Sequence, residues 1–430
     1  MQDGEKELES LLAEHAPSRK KANTRHHLIT IALSLFALTM GIVKTIPLPI
    51  LLPESLDLGL TTAQGSFIIA AWPASSILAL VLQPTLNTIS NRWYLTGNAV
   101  LCALGFFSFY LSVTAGAWYL YWAVLARFIS GTSAILLSNR AAVGITTHLS
   151  GDVNNSTTIW EIFYTGGMAI GAYLGSLSNQ FLGFPMTMVL SGGLVLLNAG
   201  MLLWCHPGYK YIPEKEHTTK DMYLLHFSLD MIVYCWYIEF CIGACMFFVE
   251  GNLSEYYRSS YFKSLAFGGA ILGISGIVYS GTAAVIGLMR TKWPVLTLAT
   301  LELGLIGVAV TLLFIGPVVD MRGVDNLSVS VTTFNILSAA SEAMQLSAMA
   351  VGANSLKRKV SAEAAMSVTM NVFMVSYNIG AFVGPLVGGS LLSVLPYHTV
   401  FAVGCPFFFL AAIVVGALAF YQQKNGIKLY

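Results

Sequence analysis

Apolar residues run along this chain in long unbroken blocks rather than in strict alternation. A helix crosses a bilayer with about 20 mostly apolar residues. Twelve blocks reach that length, at 28–52, 64–86, 94–113, 116–137, 158–181, 184–205, 227–250, 264–288, 293–315, 328–353, 365–392 and 397–421. The fifth is the most polar of them. The longest interior polar stretch, "HPGYKYIPEKEHTTKDMYLLH" at 206–226, separates the sixth block from the seventh. The pattern predicts an all-α membrane protein with twelve transmembrane helices in two six-helix halves. The boundaries it implies are a tail at 1–27, a first half at 28–205, a central loop at 206–226, a second half at 227–421 and a closing tail at 422–430.

Composition agrees: 56% of residues are hydrophobic and 10% are charged, where a soluble domain carries about 25% charged residues. Counted loop by loop, seventeen Lys and Arg fall on the side of the two termini and three on the other, Arg258, Lys263 and Arg322. Positive loops stay cytosolic, so both termini are expected in the cytosol. The sequons at Asn252 and Asn326 then lie on the exterior side and are expected to be glycosylated. The one at 154–157 lies on the cytosolic side and is expected to be unused. A polar tail of 27 residues ahead of a long first span argues against a cleavable signal peptide. The six cysteines show no metal-ligand spacing. The chain has no phosphate-binding loop and no catalytic triad pattern, so neither an enzyme nor a metal or other cofactor is expected.

Glycine recurs at every fourth position in two places. "GGMAIGAYLGSL" carries Gly167, Gly171 and Gly175, and "IGAFVGPLVGGSLL" carries Gly380, Gly384, Pro385 and Gly388. The first stretch lies in the fifth span and the second in the eleventh, at matching places in the two halves. Residues four apart share one helix face, and small residues let helices in lipid pack closely. Two matched stripes suggest interfaces that slide or rock. The glycine-rich eighth span could supply a partner face.

These residues carry a family resemblance. "GAFVGPLVGGSL" resembles the G-x-x-x-G-P-x-x-G-G signature of major facilitator antiporters. "WEIFYTGGMAIGAYLGS", "FFVEGNLSEYY", "SYNIGAFVGPLVGGSLL" and "ARFISG" resemble segments of the solute carrier 18 family, the vesicular amine transporters, and most closely its polyamine branch. The resemblance runs from about residue 45 to residue 420. It implies the major facilitator fold and a proton-coupled antiporter that loads polyamines or monoamines into acidic vesicles. The chain departs from the family pattern in four places. Ala172 replaces the motif proline in the first half, "LQPTLNTISNRW" and "GLMRTKW" stand where the family has an aspartate followed by basic residues, and the first span holds Lys44 where the monoamine branch has aspartate.

Charges within spans are costly and generally face a cavity or a partner. Glu342, among small residues in the tenth span, is a candidate to hold a cation and a proton in alternation. Glu239 lies mid-way along the seventh span beside Trp236 and Tyr237, whose rings could hold an ammonium group by cation–π contact. Glu302 is a third candidate. Asn371, Tyr377 and Asn378 in the eleventh span could line the same cavity. Arg127 and Glu161 are read as a structural or gating pair. Lys44 could snorkel outward, repel cations or bind an anion, and Glu250 marks the outer end of the seventh span. Glu7, Leu11 and Leu12 in "ELESLL" fit an acidic dileucine sorting signal, with an adaptor as partner. The reading is an antiporter of protons and small organic cations in a vesicular, endosomal or lysosomal membrane. An organic-anion or uncoupled transporter stays open, as does a non-transporting receptor or scaffold. No nucleic-acid partner is expected.

Overall fold

The computed structural model describes residues 19–86, 91–148, 153–205, 225–316, 326–356, 360 and 362–424. Helices account for nearly all of it, and none of the described residues is in a strand. The first half contains α1 (Arg19–Thr45), α2 (Leu48–Asp57), α3 (Thr62–Leu86), α4 (Asn91–Thr114), α5 (Tyr119–His148), α6 (Val153–Leu182) and α7 (Phe184–Cys205). The second contains α8 (Ile238–Tyr261), α9 (Leu265–Lys292), α10 (Leu296–Ile315), α11 (Asn326–Leu356), α12 (Ala362–Leu391), α13 (Tyr397–Val403) and α14 (Cys405–Lys424). A single turn, Leu229–Met231, and a π-helical stretch, Ile232–Tyr237, lead into α8.

The breaks have local causes. Proline has no amide hydrogen and clashes with the preceding turn. Pro47 therefore separates α1 from α2 within what reads as one apolar block. Gly183 adopts φ 78°, a left-handed conformation open to glycine, and parts α6 from α7. Helix α1 begins at Arg19, inside the segment expected to be a polar tail.

Ten helical stretches among the described residues are long and apolar enough to cross a membrane. One of them, 162–204, takes in most of α6 and nearly all of α7. Helix α11, at 31 residues, is long enough but does not count among the ten. Its sequence explains why, since it holds Glu342 and Gln345 amid many Ser, Thr and Asn residues.

Each half has its own buried cluster. Phe36, Trp72, Phe106, Phe109 and Phe184 anchor the first. Tyr234, Tyr257, Phe334, Phe401 and Phe408 anchor the second. Tyr377 packs against both.

The glycine stripes serve packing inside each half. On α6, a Cβ added at Gly167, Gly171 or Gly175 would strike α1 at Leu38, Ile42 or Ile46. On α12, the same addition at Gly380, Gly384 or Gly388 would strike α8 at Phe240, Ala244 or Phe248. Gly41 and Gly243 return the contact from α1 and α8. The stripes are thus seams within each half, a correction to the sliding interface read from their spacing. The reason is geometric: the helices they join belong to one packed unit, and their backbones already touch along most of each stripe.

The halves meet elsewhere. Helix α6 presents a second face of small residues, Ala169, Ala172 and Ser176, to Gly269, Gly273 and Gly276 of α9. The glycine-rich eighth span, α9, thus meets α6 on a face other than the α6 glycine stripe, which packs on α1. Helix α12 lies along α3, where Gly389 meets Ser66, and α8 touches α2.

Candidate functional site

The seam between the halves holds charged side chains from both. Lys44 sits near the end of α1. Its Nζ lies 5.6 Å from the ring centre of Tyr164 on α6 and 5.6 Å from that of Phe247 on α8. It also reaches the Met168 sulfur at 3.8 Å. The side chain therefore points between the halves, which overturns outward snorkelling. Two aromatic faces offer the ammonium more than a path along lipid would.

Arg127 on α5 is fully buried. Its guanidinium stacks 4.3 Å from the Trp72 ring centre, and its Nη2 donates to the Lys44 carbonyl at 3.4 Å. Nε and Nη1 find no hydrogen-bond acceptor among the described residues. The expected partner, Glu161, lies on α6, but its side chain is outside the described residues. What holds Arg127 here is an aromatic face and a backbone carbonyl.

In the second half, Glu239 is 0% exposed and Glu342 is 3% exposed. They project from α8 and α11 into electrostatic contact with each other. Gln345, one turn on from Glu342, donates from Nε2 to Glu239 Oε2 at 3.3 Å. Tyr279 of α9 donates its hydroxyl to Gln345 Oε1 at 2.5 Å. Glu239 Oε1 has no hydrogen-bond partner among the described residues. A buried carboxylate with an idle oxygen is costly unless a proton or a cation comes to it. Tyr377 sits at the centre of this arrangement. Its hydroxyl is in electrostatic reach of Glu239, Glu250, Glu342 and Tyr164, and its ring meets Phe247 edge-on at 6.2 Å. Glu250, half-buried further along α8, interacts with the charge of Lys44.

The other candidates are placed apart from this centre. Trp236 donates Nε1 to the His226 carbonyl at 2.9 Å and stacks on Phe227. Tyr237 donates its hydroxyl to the Phe407 carbonyl at 3.2 Å. Both line a lateral apolar cavity of about 270 Å³ with Ile232, Phe240, Ser376 and Ile379. Their polar atoms are thus engaged away from Glu239 rather than beside it. Glu302 on α10 is half-buried and packs toward Gly416 of α14. Asn371 is exposed, and Asn378 donates to the Met374 carbonyl at 2.7 Å. Asn252 is 0% exposed within α8, and its Nδ2 donates to the Phe248 carbonyl at 2.7 Å. An oligosaccharide has no room there, so the structure argues against modification at Asn252. Asn326 opens α11 and is half-buried. Glu7, Leu11 and Leu12 lie outside the described residues.

Two features of the site are not legible in the sequence. One is the Gln345–Tyr279 link to Glu239. The other is a bridge between the halves at the end where α2 and α8 finish. Arg258 holds Asp57 through two bonds of 2.8 Å, and its Nε lies 2.9 Å from Glu255. In this conformation that end of the seam is latched.

The geometry has relatives. A crystal structure of the nucleoside transporter NupG superposes with a TM-score of 0.70 at 14% identity, covering 90% of this chain and 98% of that one. A bacterial homolog of the human lysosomal transporter Spinster, in an inward-facing and unoccupied conformation, superposes with a TM-score of 0.65 at 12% identity, covering 92% and 95%. This chain has the major facilitator fold. No family model matches it. In sequence it resembles the solute carrier 18 transporters. It is 24% identical over 247 residues to the MFS-type transporter SLC18B1 of Mus musculus and 25% identical over 247 residues to that of Rattus norvegicus. Those matches cover 55% of this chain and 52% of each relative, so the chain spans about half the length of the curated relatives it matches. In a major facilitator fold a solute site lies at the interface of the two halves, which is where Lys44, Tyr164, Phe247, Glu250 and Tyr377 meet.

Proposed function

We propose that this protein is a secondary active transporter in which twelve membrane-spanning helices, with both termini in the cytosol, work by alternating access. It exchanges protons for a small organic cation across a vesicular, endosomal or lysosomal membrane. The observation that carries this reading is the buried Glu239–Glu342 pair, in which Glu239 Oε1 has no hydrogen-bond partner among the described residues, close to Tyr377, which packs against both halves. A proton and an ammonium group are alternative occupants of such a site, and antiport needs that exclusivity. The latch of Asp57 and Arg258 closes one end, so occupation and release require it to part. The dileucine of the tail supports an intracellular membrane and an adaptor as partner.

A specific observation favours a second reading. Lys44 points into the seam, as an organic-anion transporter would require. Uptake into proteoliposomes with an inside-acid gradient tests both readings, with labelled spermidine, serotonin and a small carboxylate. Gradient-driven amine uptake that is lost in Glu342→Gln supports proton–cation exchange. Carboxylate uptake that survives Glu342→Gln and is lost in Lys44→Ala supports the second reading. No flux of any solute through folded protein would overturn both and leave a receptor or scaffold.

A further inference from the structure

The seam is electrically two-sided. The first half contributes an ammonium, Lys44, and the second a carboxylate, Glu250, and the two interact without forming an ion pair within 4.0 Å. Both side chains are half-buried rather than sealed. Tyr164 and Phe247 flank Lys44, and Tyr377 stacks on Phe373 at 6.1 Å while it meets Phe247 edge-on. Among the described residues Lys44 rests on aromatic rings and no carboxylate closes on it, so neither it nor Glu250 is neutralised by the other at contact distance. A purely cationic solute meets repulsion from Lys44, which is strong where the dielectric is low. A solute that also carries a carboxylate removes that repulsion and gains a charge-assisted contact.

We infer that the seam between Lys44 and Glu250 binds a small zwitterion with an aromatic or apolar body, its carboxylate on Lys44 and its ammonium on Glu250. This rests on the transporter reading and narrows its substrate class. Tyr164, Phe247 and Tyr377 receive the body of the solute. Glu239 and Glu342 remain the deeper acidic pair.

The test uses the full chain and three compounds that share one ring: tyramine with an ammonium, tyrosine with both charges, and 3-(4-hydroxyphenyl)propionate with a carboxylate. Uptake into proteoliposomes is measured beside the ligand-induced shift in melting temperature of the solubilised protein, a readout that does not need turnover. Tyrosine is expected to half-saturate at a concentration about tenfold or more below tyramine, the effect of one charge-assisted contact. Lys44→Gln is expected to collapse that tyrosine-to-tyramine preference, and Lys44→Arg to restore it. Glu250→Gln is expected to weaken both amines relative to the propionate. Tyramine or serotonin uptake with no preference for tyrosine, unchanged by Lys44→Gln, would overturn the zwitterion site and leave the cation transporter standing. Absence of uptake and of melting shifts for all three compounds, together with no uptake of spermidine or serotonin, would overturn both.

Discussion

The two halves of this molecule share a scaffold and differ in charge. In each, the first long helix and the fifth are pressed together at the backbone, Gly41 with Gly167, Gly171 and Gly175 in one half, Gly243 with Gly380, Gly384 and Gly388 in the other. The chemistry beside those seams is opposite. The first half turns Lys44 and Arg127 inward, and the second turns Glu239, Glu250 and Glu342 inward. Backbone contacts thus join matching helices in the two halves, while the side chains beside them differ in charge.

The largest expected effect lies in the shared part. Gly171→Leu and Gly384→Leu each force a side chain into a backbone contact, and overpacking of this kind costs about 1–3 kcal/mol or more. Both variants are expected to lose folded, monodisperse protein on size-exclusion chromatography. Gly166→Leu, where nothing lies within 4 Å, is expected to behave like the wild type. Equal tolerance at Gly166 and Gly171 would mean that the backbone seams are not what holds each half together.

The next effect separates the halves. Glu239→Gln keeps the shape of the side chain and its contact with Gln345 but removes the charge. Proton-driven amine uptake is expected to fall by about two orders of magnitude or more, within the range over which positioned proton transfer contributes to rates. Arg127→Met, by contrast, is expected to leave proton coupling in place, because the guanidinium meets an aromatic ring and a carbonyl rather than a carboxylate among the described residues. A pH profile of uptake separates the two: it flattens for Glu239→Gln and keeps its form for Arg127→Met. Loss of coupling in both would make the charges of the two halves one network.

The smallest effect concerns the latch. Arg258 and Asp57 are 33% and 58% exposed, and solvent screens such a pair. Asp57→Asn is expected to cost about 0.2–1 kcal/mol, read as a modest rise in labelling of a cysteine placed at Ile69. Ile69 lies against Gly251 where the halves meet. Raising the salt concentration is expected to act in the same direction. No change in labelling would mean that small-residue packing holds this end closed by itself.

The helical membrane architecture and the matched glycine stripes are legible in the sequence. The physical reason is that lipid demands long apolar helices with every backbone group satisfied, and that demand is written in composition and spacing. Lys44, Glu239, Glu342 and Tyr377 also stand out there as chemistry in costly places. Their roles depend on how the helices pack. Spacing along a helix shows that glycines share a face, not which helix they meet, so it took the packed structure to assign the stripes to seams within each half. Neighbours in sequence need not share a site: Trp236 and Tyr237 hydrogen-bond away from Glu239. The direction of Lys44, the link from Tyr279 through Gln345 to Glu239, and the latch of Arg258 on Asp57 join residues tens to hundreds of positions apart, and such contacts exist only once the helices have packed.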